Sequence, residues 1–400
     1  MNMLENQARG SHSRPTWCEI DIEAIEHNIR QVVELLGPQV RLLVCLKGDA
    51  FGCGAVEVAR ACERMGAYGL TFGNIDSAIV CREAGVTLPM LLYPTCLPAA
   101  APLLSRHGMS ITVSTREEVE QWAQYAEGRL DVFLKIDTGG FRAGAFPNDA
   151  VEVASAIAAR PTLHLAGVYG HSLATYLNGV APRFDGSSQQ VSCFVEAVDA
   201  IEAAGIDVPL RMCSSSEILL THPRADLNAV DPGRLISGLP FDAIPSRRRT
   251  WRPGLRSLKS RLVMVKRIDS HGNVPVTPFF PVHEGMTIGL IPYGWSDGCP
   301  RELSPDAYAL VRGQRAPLLA PVHSELLRVD LTGIVGACIG DVVTLMGADG
   351  AAQIDLETFA HHWGQPLLDV YCTVGKGVPR VYVRSPYTAI ASQQQQQESA

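Results

Sequence analysis

Between residues 42 and 230 the hydrophobic period of the chain keeps switching, and that switching leaves few folds open. Short apolar runs stand at 42–46, 68–72, 90–93, 110–113, 132–136, 163–169, 210–213 and 227–230. Amphipathic stretches lie between them, among them 56–64, 76–83, 117–125, 150–159 and 191–204. Eight short strands joined by helices over about 190 residues predict a (β/α)8 barrel. An open, doubly wound sheet is the competing arrangement, but no G-x-G-x-x-G opens the first helix. Ahead of this region Cys18-Glu19-Ile20-Asp21 reads as a short strand. Asp21 then stands as the cap of a helix with the stripe Ile22, Ile25, Ile29, Val32, Val33 and Leu36, stopped by Gly37-Pro38.

After Phe241 the pattern changes. Residues 245–385 carry strand-like alternation at 260–267, 286–291, 329–335, 342–346 and 378–383, with Gly, Pro and Asp turns and little helix. The expected organisation is therefore a barrel over 15–244 and a mostly β C-terminal domain over 245–386. Disordered or added residues are expected at 1–14, and a disordered Gln-rich tail at 387–400. A hydrophobic content of 46% supplies ample core, and a net charge of −7 argues against a general nucleic-acid binder. No apolar run reaches membrane-spanning length, and the first residues lack the basic-then-apolar pattern of a secretory leader. Eleven scattered cysteines without a C-x-x-C pair read as reduced packing thiols rather than zinc ligands. A cytoplasmic protein without a metal is expected.

The chemistry gathers around Val44-Cys45-Leu46-Lys47-Gly48-Asp49-Ala50-Phe51-Gly52-Cys53-Gly54. An apolar strand ends at Lys47 and passes through a glycine-spaced turn into a helix. A lysine held away from bulk water there would be a neutral amine, able to condense with an aldehyde. The plainer alternative is a strand-end lysine reaching for solvent. In a (β/α)8 barrel the reactive groups sit at the strand ends, with phosphate after the last two strands. The ends of this chain's strands supply Lys47, then Arg142, then His171. They continue with Ser214-Ser215-Ser216 and Asp231-Pro232-Gly233-Arg234. Pyridoxal phosphate would use each of them: the lysine for its aldehyde, the serine–glycine–arginine corner for its phosphate, and a partner for its ring nitrogen that sets its strength as an electron sink. Taken singly, the serines are also a helix cap and Asp-Pro-Gly is also a turn; the combination favours the functional reading.

These residues resemble the alanine racemase family over nearly all of 17–385. The matching stretches are 44–54, 135–144, 168–171, Ser215-Ser216, 228–233, the PYGWSDGCPR run around Tyr293 to Arg301, and VPRVY at 378–382. The resemblance implies a pyridoxal-phosphate enzyme with a (β/α)8 barrel and a β domain, and a homodimer whose β domains complete each other's sites. It also implies that Lys47 carries the cofactor's Schiff base and that Arg142, helped by Lys135, lies near the cofactor and the substrate carboxylate. Ser216 and Gly233 would hold the phosphate.

Several positions depart from the family pattern. Trp295 stands where the family has a tyrosine acting as the second base, and indole cannot serve in that role. Asp231 stands where the family has an arginine against the ring nitrogen. Asp231-Pro232-Gly233-Arg234 instead resembles the E-P-G-R segment of fold-related amino-acid decarboxylases. Phe51 and Leu368 replace phosphate-contacting tyrosines, and Ser324-Glu325 replaces Met-Asp near the substrate. The expected catalytic residues are Lys47 and Asp231. Lys47, Arg142, His171, Ser215, Ser216, Asp231, Gly233 and Arg234 are expected to bind cofactor, and Arg142, Trp295 and Ser324 to face substrate. The reading is an amino-acid racemase or epimerase working through a Lys47 aldimine and a quinonoid. An aldolase, hydroxymethyltransferase or decarboxylase is the alternative, and a non-catalytic pyridoxal-phosphate protein a third.

Overall fold

The switching period resolves into a closed barrel joined to a second sheet. The computed structural model describes residues 14–172, 187–239, 247–269 and 280–384. β1 (Trp17–Asp21) stands apart from the barrel. β2 (Arg41–Cys45), β3 (Gly69–Phe72), β4 (Met90–Leu92), β5 (Met109–Val113), β6 (Leu130–Ile136), β7 (Leu163–Gly170), β8 (Arg211–Ser214) and β9 (Ala229–Val230) close on one another. Each barrel pair is parallel, and β9 returns to β2 through Arg41 opposite Ala229. The open-sheet alternative is thereby excluded.

Side-chain alternation builds two cores from the same strands. Leu43, Leu91, Phe133, Tyr169, Leu210, Met212 and Ala229 pack against each other as one cluster, the barrel's filled interior. Leu42, Val44, Leu70, Leu92, Val132 and Leu134 point the other way and join the larger core with the helices. Those helices begin where polar caps sit. Asp21 accepts the Ala24 N–H ahead of Ile22–Val33, Asn74 accepts that of Ser77 ahead of Ile75–Glu83, and Thr115 that of Glu118 ahead of Arg116–Tyr125.

The second sheet is built from β10 (Leu255–Arg261), β11 (Met264–Arg267), β12 (Thr287–Ile291), β13 (Tyr308–Val311), β14 (Gln314–Leu319), β15 (Leu327–Asp330), β16 (Val342–Asp349), β17 (Ala352–Ile354) and β18 (Arg380–Val383). Its order is β11-β12-β15-β14-β13-β16-β10-β1-β18, with β17 beside β16. β1, counted with the barrel in the sequence-based organisation, belongs to this sheet: it runs antiparallel to β10 and parallel to β18. Both ends of the described chain thus meet in one sheet. The single strand expected at 260–267 is two, separated at Leu262 and Val263.

The expectation of little helix in this domain needs amendment. Leu356–Trp363, capped by Asp355 on the Thr358 N–H and ended by left-handed Gly364, is followed by Leu367–Thr373. The expected tails at 1–14 and 387–400 lie outside the described residues, Arg14 excepted. Among the described residues no helix is long and apolar enough to cross a membrane.

Candidate active site

At the carboxyl ends of the barrel strands lies a cavity of about 520 Å³. Lys47, Arg142, His171, Ser215, Ser216, Asp231, Gly233 and Arg234 all line it, so the eight residues expected to bind cofactor converge on one space. Lys135, Tyr93, Tyr169 and Leu368 line it as well.

Lys47 enters from the end of β2, and the backbone after it is strained. Gly48, Asp49, Ala50 and Phe51 have φ of 62°, 58°, 54° and 54°, a left-handed turn of four residues, three of them carrying a Cβ. The turn is held from outside. Asp49 accepts the Ala55 N–H at 2.7 Å and pairs with Arg380 of β18 at 2.7 Å, while Arg380 Nε donates to the Gly52 carbonyl at 2.8 Å. Of the two alternatives the sequence leaves open for Lys47, the single chain shows the exposed one, with the ammonium 5.8 Å from the centre of the Phe51 ring.

Arg142 reaches the cavity because Asp137 curls the loop after β6. Asp137 Oδ1 accepts the N–H groups of Gly139, Gly140 and Phe141 at 2.9, 2.8 and 3.2 Å, and Oδ2 that of Arg142 at 3.2 Å. Burial works against the Asp137 carboxylate, but these backbone donors outweigh it and hold its pKa below the usual range. Lys135 is buried beneath the loop, 5.2 Å from the centre of the Tyr169 ring. Burial, and then the charge of Arg142, push its ammonium down to about 8. His171 is pushed down to about 3, first by burial and then by Lys47, Arg142 and Lys135, so it presents a neutral imidazole to the cavity.

Asp231 follows β9 and is buried. Tyr93 donates its phenolic proton to Asp231 Oδ2 at 2.8 Å, whereas Oδ1 is buried without a partner. Burial raises the carboxyl to about 6, against the opposing effects of the Tyr93 bond, Lys47, Lys135 and, least, its own backbone N–H. Beside it, Ser216 Oγ accepts the N–H groups of Gly233 and Leu235 at 3.0 and 3.3 Å, tying the β8 and β9 ends together. Gly233 has no room for a side chain. A Cβ there would lie 2.6 Å from the Phe51 ring and 2.7 Å from the Cys45 carbonyl oxygen.

Trp295 and Ser324 are not among the residues lining this cavity. They lie together in the second domain, on the turn Trp295–Asp297 and its neighbouring loop. The Trp295 N–H donates to the His323 carbonyl at 3.0 Å, and Ser296 donates to that of Ser324 through N–H at 3.0 Å and Oγ at 2.7 Å. Buried Asp297 anchors the turn by accepting both Nη groups of Arg14 and the Gly294 N–H. The indole is 40% exposed under the Arg301 guanidinium, 4.6 Å from the ring centre. Tyr93, which donates to the Asp231 carboxylate, is not among the residues that the sequence alone assigns to the site. Its position directly after the third barrel strand, as Lys47 stands after the first, is the available signal.

A primary amine, a buried acid with an open oxygen and a serine–glycine corner at the mouth of a (β/α)8 barrel carrying a β domain define a class: pyridoxal-phosphate enzymes of barrel architecture. The chain matches the alanine racemase N-terminal domain over residues 20–240 and the alanine racemase C-terminal domain over 255–382. It belongs to the alanine racemase family. The alanine racemase of Desulfovibrio desulfuricans is 33% identical over 377 residues, covering 93% of this chain and 99% of that protein. That of Desulforamulus reducens is 31% identical over 376 residues, with 92% and 99% covered. The solved alanine racemase of E. faecalis superposes with a TM-score of 0.80 at 29% identity, covering 93% of this chain and 99% of that one.

Proposed function

We propose that this chain is an amino-acid racemase-type isomerase in which Lys47 holds pyridoxal phosphate and moves a proton at the α-carbon of a bound amino acid. The observation that carries the reading is Asp231. Its carboxylate shares a cavity with Lys47 and has one oxygen satisfied by Tyr93 and the other buried without a partner. A cationic N–H is what such an oxygen lacks. Gly233, which packs without a Cβ against Phe51 and Cys45, stands at the corner where Ser215, Ser216 and Arg234 would take the phosphate. These residues fit the cofactor.

When bound, pyridoxal phosphate draws electrons from the substrate's α-carbon, more strongly when its ring nitrogen is protonated. Asp231, ionised above about pH 6, favours that protonated nitrogen. Arg142, steered by Asp137, meets the substrate carboxylate, and neutral His171 adds no competing charge beside it. Lys47 is the amine that takes or returns a proton on its own side of the substrate.

The protein is further read as a cytoplasmic homodimer whose second domain presents Trp295 and Ser324 to the other subunit's cavity. The exposure of Lys47 and of the Trp295 indole supports the dimer, and eleven free cysteines support a reducing compartment. Light scattering on purified protein checks it: twice the chain mass is expected, and a monomer at working concentration would remove the shared site.

A second reading rests on Trp295 and Asp231 together. Indole carries no proton in this role, and an acid at the ring nitrogen strengthens electron withdrawal. Cleavage or formation of a carbon–carbon bond, or decarboxylation, needs a base on one face only. A non-catalytic role is disfavoured, because the family match extends through the second domain. Incubation with single amino acids, alanine first, in deuterium oxide separates the two catalytic readings. Deuterium at the α-carbon with both enantiomers present is expected for the racemase; release of aldehyde or carbon dioxide without inversion would replace that reading with the second.

A further inference from the structure

A hydrogen-bonded file runs through the barrel from Thr71 by way of Tyr93 to Asp231. Tyr93 directly follows β4, with its hydroxyl 2.8 Å from Asp231 Oδ2 and 2.8 Å from Thr71 Oγ1, on the neighbouring β3. A phenol has one proton to give. Since that proton goes to the carboxylate, Thr71 must donate to the Tyr93 oxygen, and the order Thr71 to Tyr93 to Asp231 is fixed. The Tyr93 ring is itself braced against Tyr169, with centroids 5.9 Å apart, and the Tyr169 hydroxyl lies 3.0 Å from Thr112 Oγ1. The file therefore ends on one oxygen of a buried carboxylate and leaves the other, Oδ1, bare.

We infer that Tyr93 is a positioning residue for the cofactor's ring nitrogen: supplied by Thr71, it pins Asp231 Oδ2 so that Oδ1 alone receives that nitrogen's proton. The inference rests on the pyridoxal-phosphate reading of the cavity and names the device that makes an acid serviceable there. A carboxyl in so dry a place tends to hold its own proton, and in that form it can turn and donate instead of accept. The phenolic donor opposes both tendencies, favouring the ionised carboxylate and fixing its rotation. Lys47 from β2 and Lys135 from β6 face the same carboxylate and favour its charge, while the Tyr169 hydroxyl and the Cys213 thiol are neutral neighbours from β7 and β8.

The test uses the full chain and two readouts. In the first, pyridoxal phosphate binding is titrated in native protein, Tyr93→Phe, Asp231→Asn and the double variant. Tyr93→Phe is expected to weaken binding about tenfold or more in the native background and less than about twofold in the Asp231→Asn background, because the bond acts only through the carboxylate. In the second, the infrared band of a protonated buried carboxylic acid is followed against pH in cofactor-free protein and assigned by its loss in Asp231→Asn. Its midpoint is expected near pH 6 in native protein and about one pH unit higher in Tyr93→Phe. A residue that merely fills space would not move it. If Tyr93→Phe does not fold, Thr71→Val, which removes only the donor to the phenol, is read by the same two measurements. Equal losses in the two backgrounds, or an unmoved midpoint, overturn the inference. Native protein that takes up no pyridoxal phosphate overturns the cofactor reading and this inference with it.

Discussion

Replacing Asp231 by asparagine in the cofactor-free protein isolates what it costs to keep that site ready. The carboxyl's pKa is carried from an ordinary 3.8 to about 6, chiefly by burial. A tenfold change in proton affinity is worth about 1.4 kcal/mol, so holding the ionised acid in place costs the folded protein about 3 kcal/mol once pH is well above both values. The sign follows from proton counts. Between the two pKa values the folded state binds more proton than the unfolded chain, so stability from this group is full below the unfolded value. It is lost as pH rises through the folded one. About half of the loss is already present near pH 5, which leaves about 1.4 kcal/mol to appear between there and about pH 8. Asparagine keeps an acceptor for Tyr93 but buries an amide N–H₂ of its own. That penalty is the same at every pH and cancels when the two conditions are compared. The assay is urea unfolding of both proteins at the two pH values, without cofactor, since a ligand of the folded state would mask the effect. The variant is expected to gain on native protein by about 1.4 kcal/mol between the lower and the higher pH. Parallel stability curves would refute the claim that this acid is held charged against its surroundings.

Three further outcomes can be checked on the same preparations. Lys47→Ala is expected to abolish the yellow, borohydride-reducible absorbance of protein incubated with pyridoxal phosphate; an unchanged spectrum would remove Lys47 from the chemistry. Gly233→Ala forces a methyl against the Cys45 carbonyl and the Phe51 ring. A loss of about 1–3 kcal/mol from overpacking is expected, measured by urea unfolding, together with weaker phosphate binding. Native stability with native affinity would show that the corner is roomier than described. Trp295→Tyr is expected to raise alanine racemisation, followed by chiral chromatography, by about 10²-fold or more if a second proton carrier is what the native site lacks. No rise would mean that the second face is closed by something other than the missing hydroxyl.

The barrel was legible because its strands are buried on both faces and its helices on one, so the period itself marks them. The strand expected at 132–136 appears as Leu130–Ile136, and the helix expected at 56–64 as Ala55–Arg64. The second domain was less readable for identifiable reasons. β13 and β14 are joined at Arg312-Gly313, both with positive φ, and an arginine gives no warning of such a turn. The helix Leu356–Trp363 is short, and its signals, Asp355 and Gly364, also suit a loop. At the site, Lys47, Arg142 and Asp231 could be found because charged groups at strand ends are conspicuous. Tyr93 could not, since a tyrosine closing an apolar strand looks like core until its hydroxyl is seen on Asp231. The exposure of Lys47 was equally hidden, because it depends on how the barrel's mouth is covered and not on its neighbours in the chain.

The clasp between Arg380 and the turn after Lys47 has a consequence for how the protein comes into being. On the ribosome the arginine that braces the turn emerges 333 residues after the lysine (380 − 47). A nascent barrel could close its ring of strands while that turn still samples relaxed, right-handed shapes. Completion of the active centre then waits on the docking of β18 beside β1, and a chain cut short before β18 would carry a closed ring of strands around an unset amine.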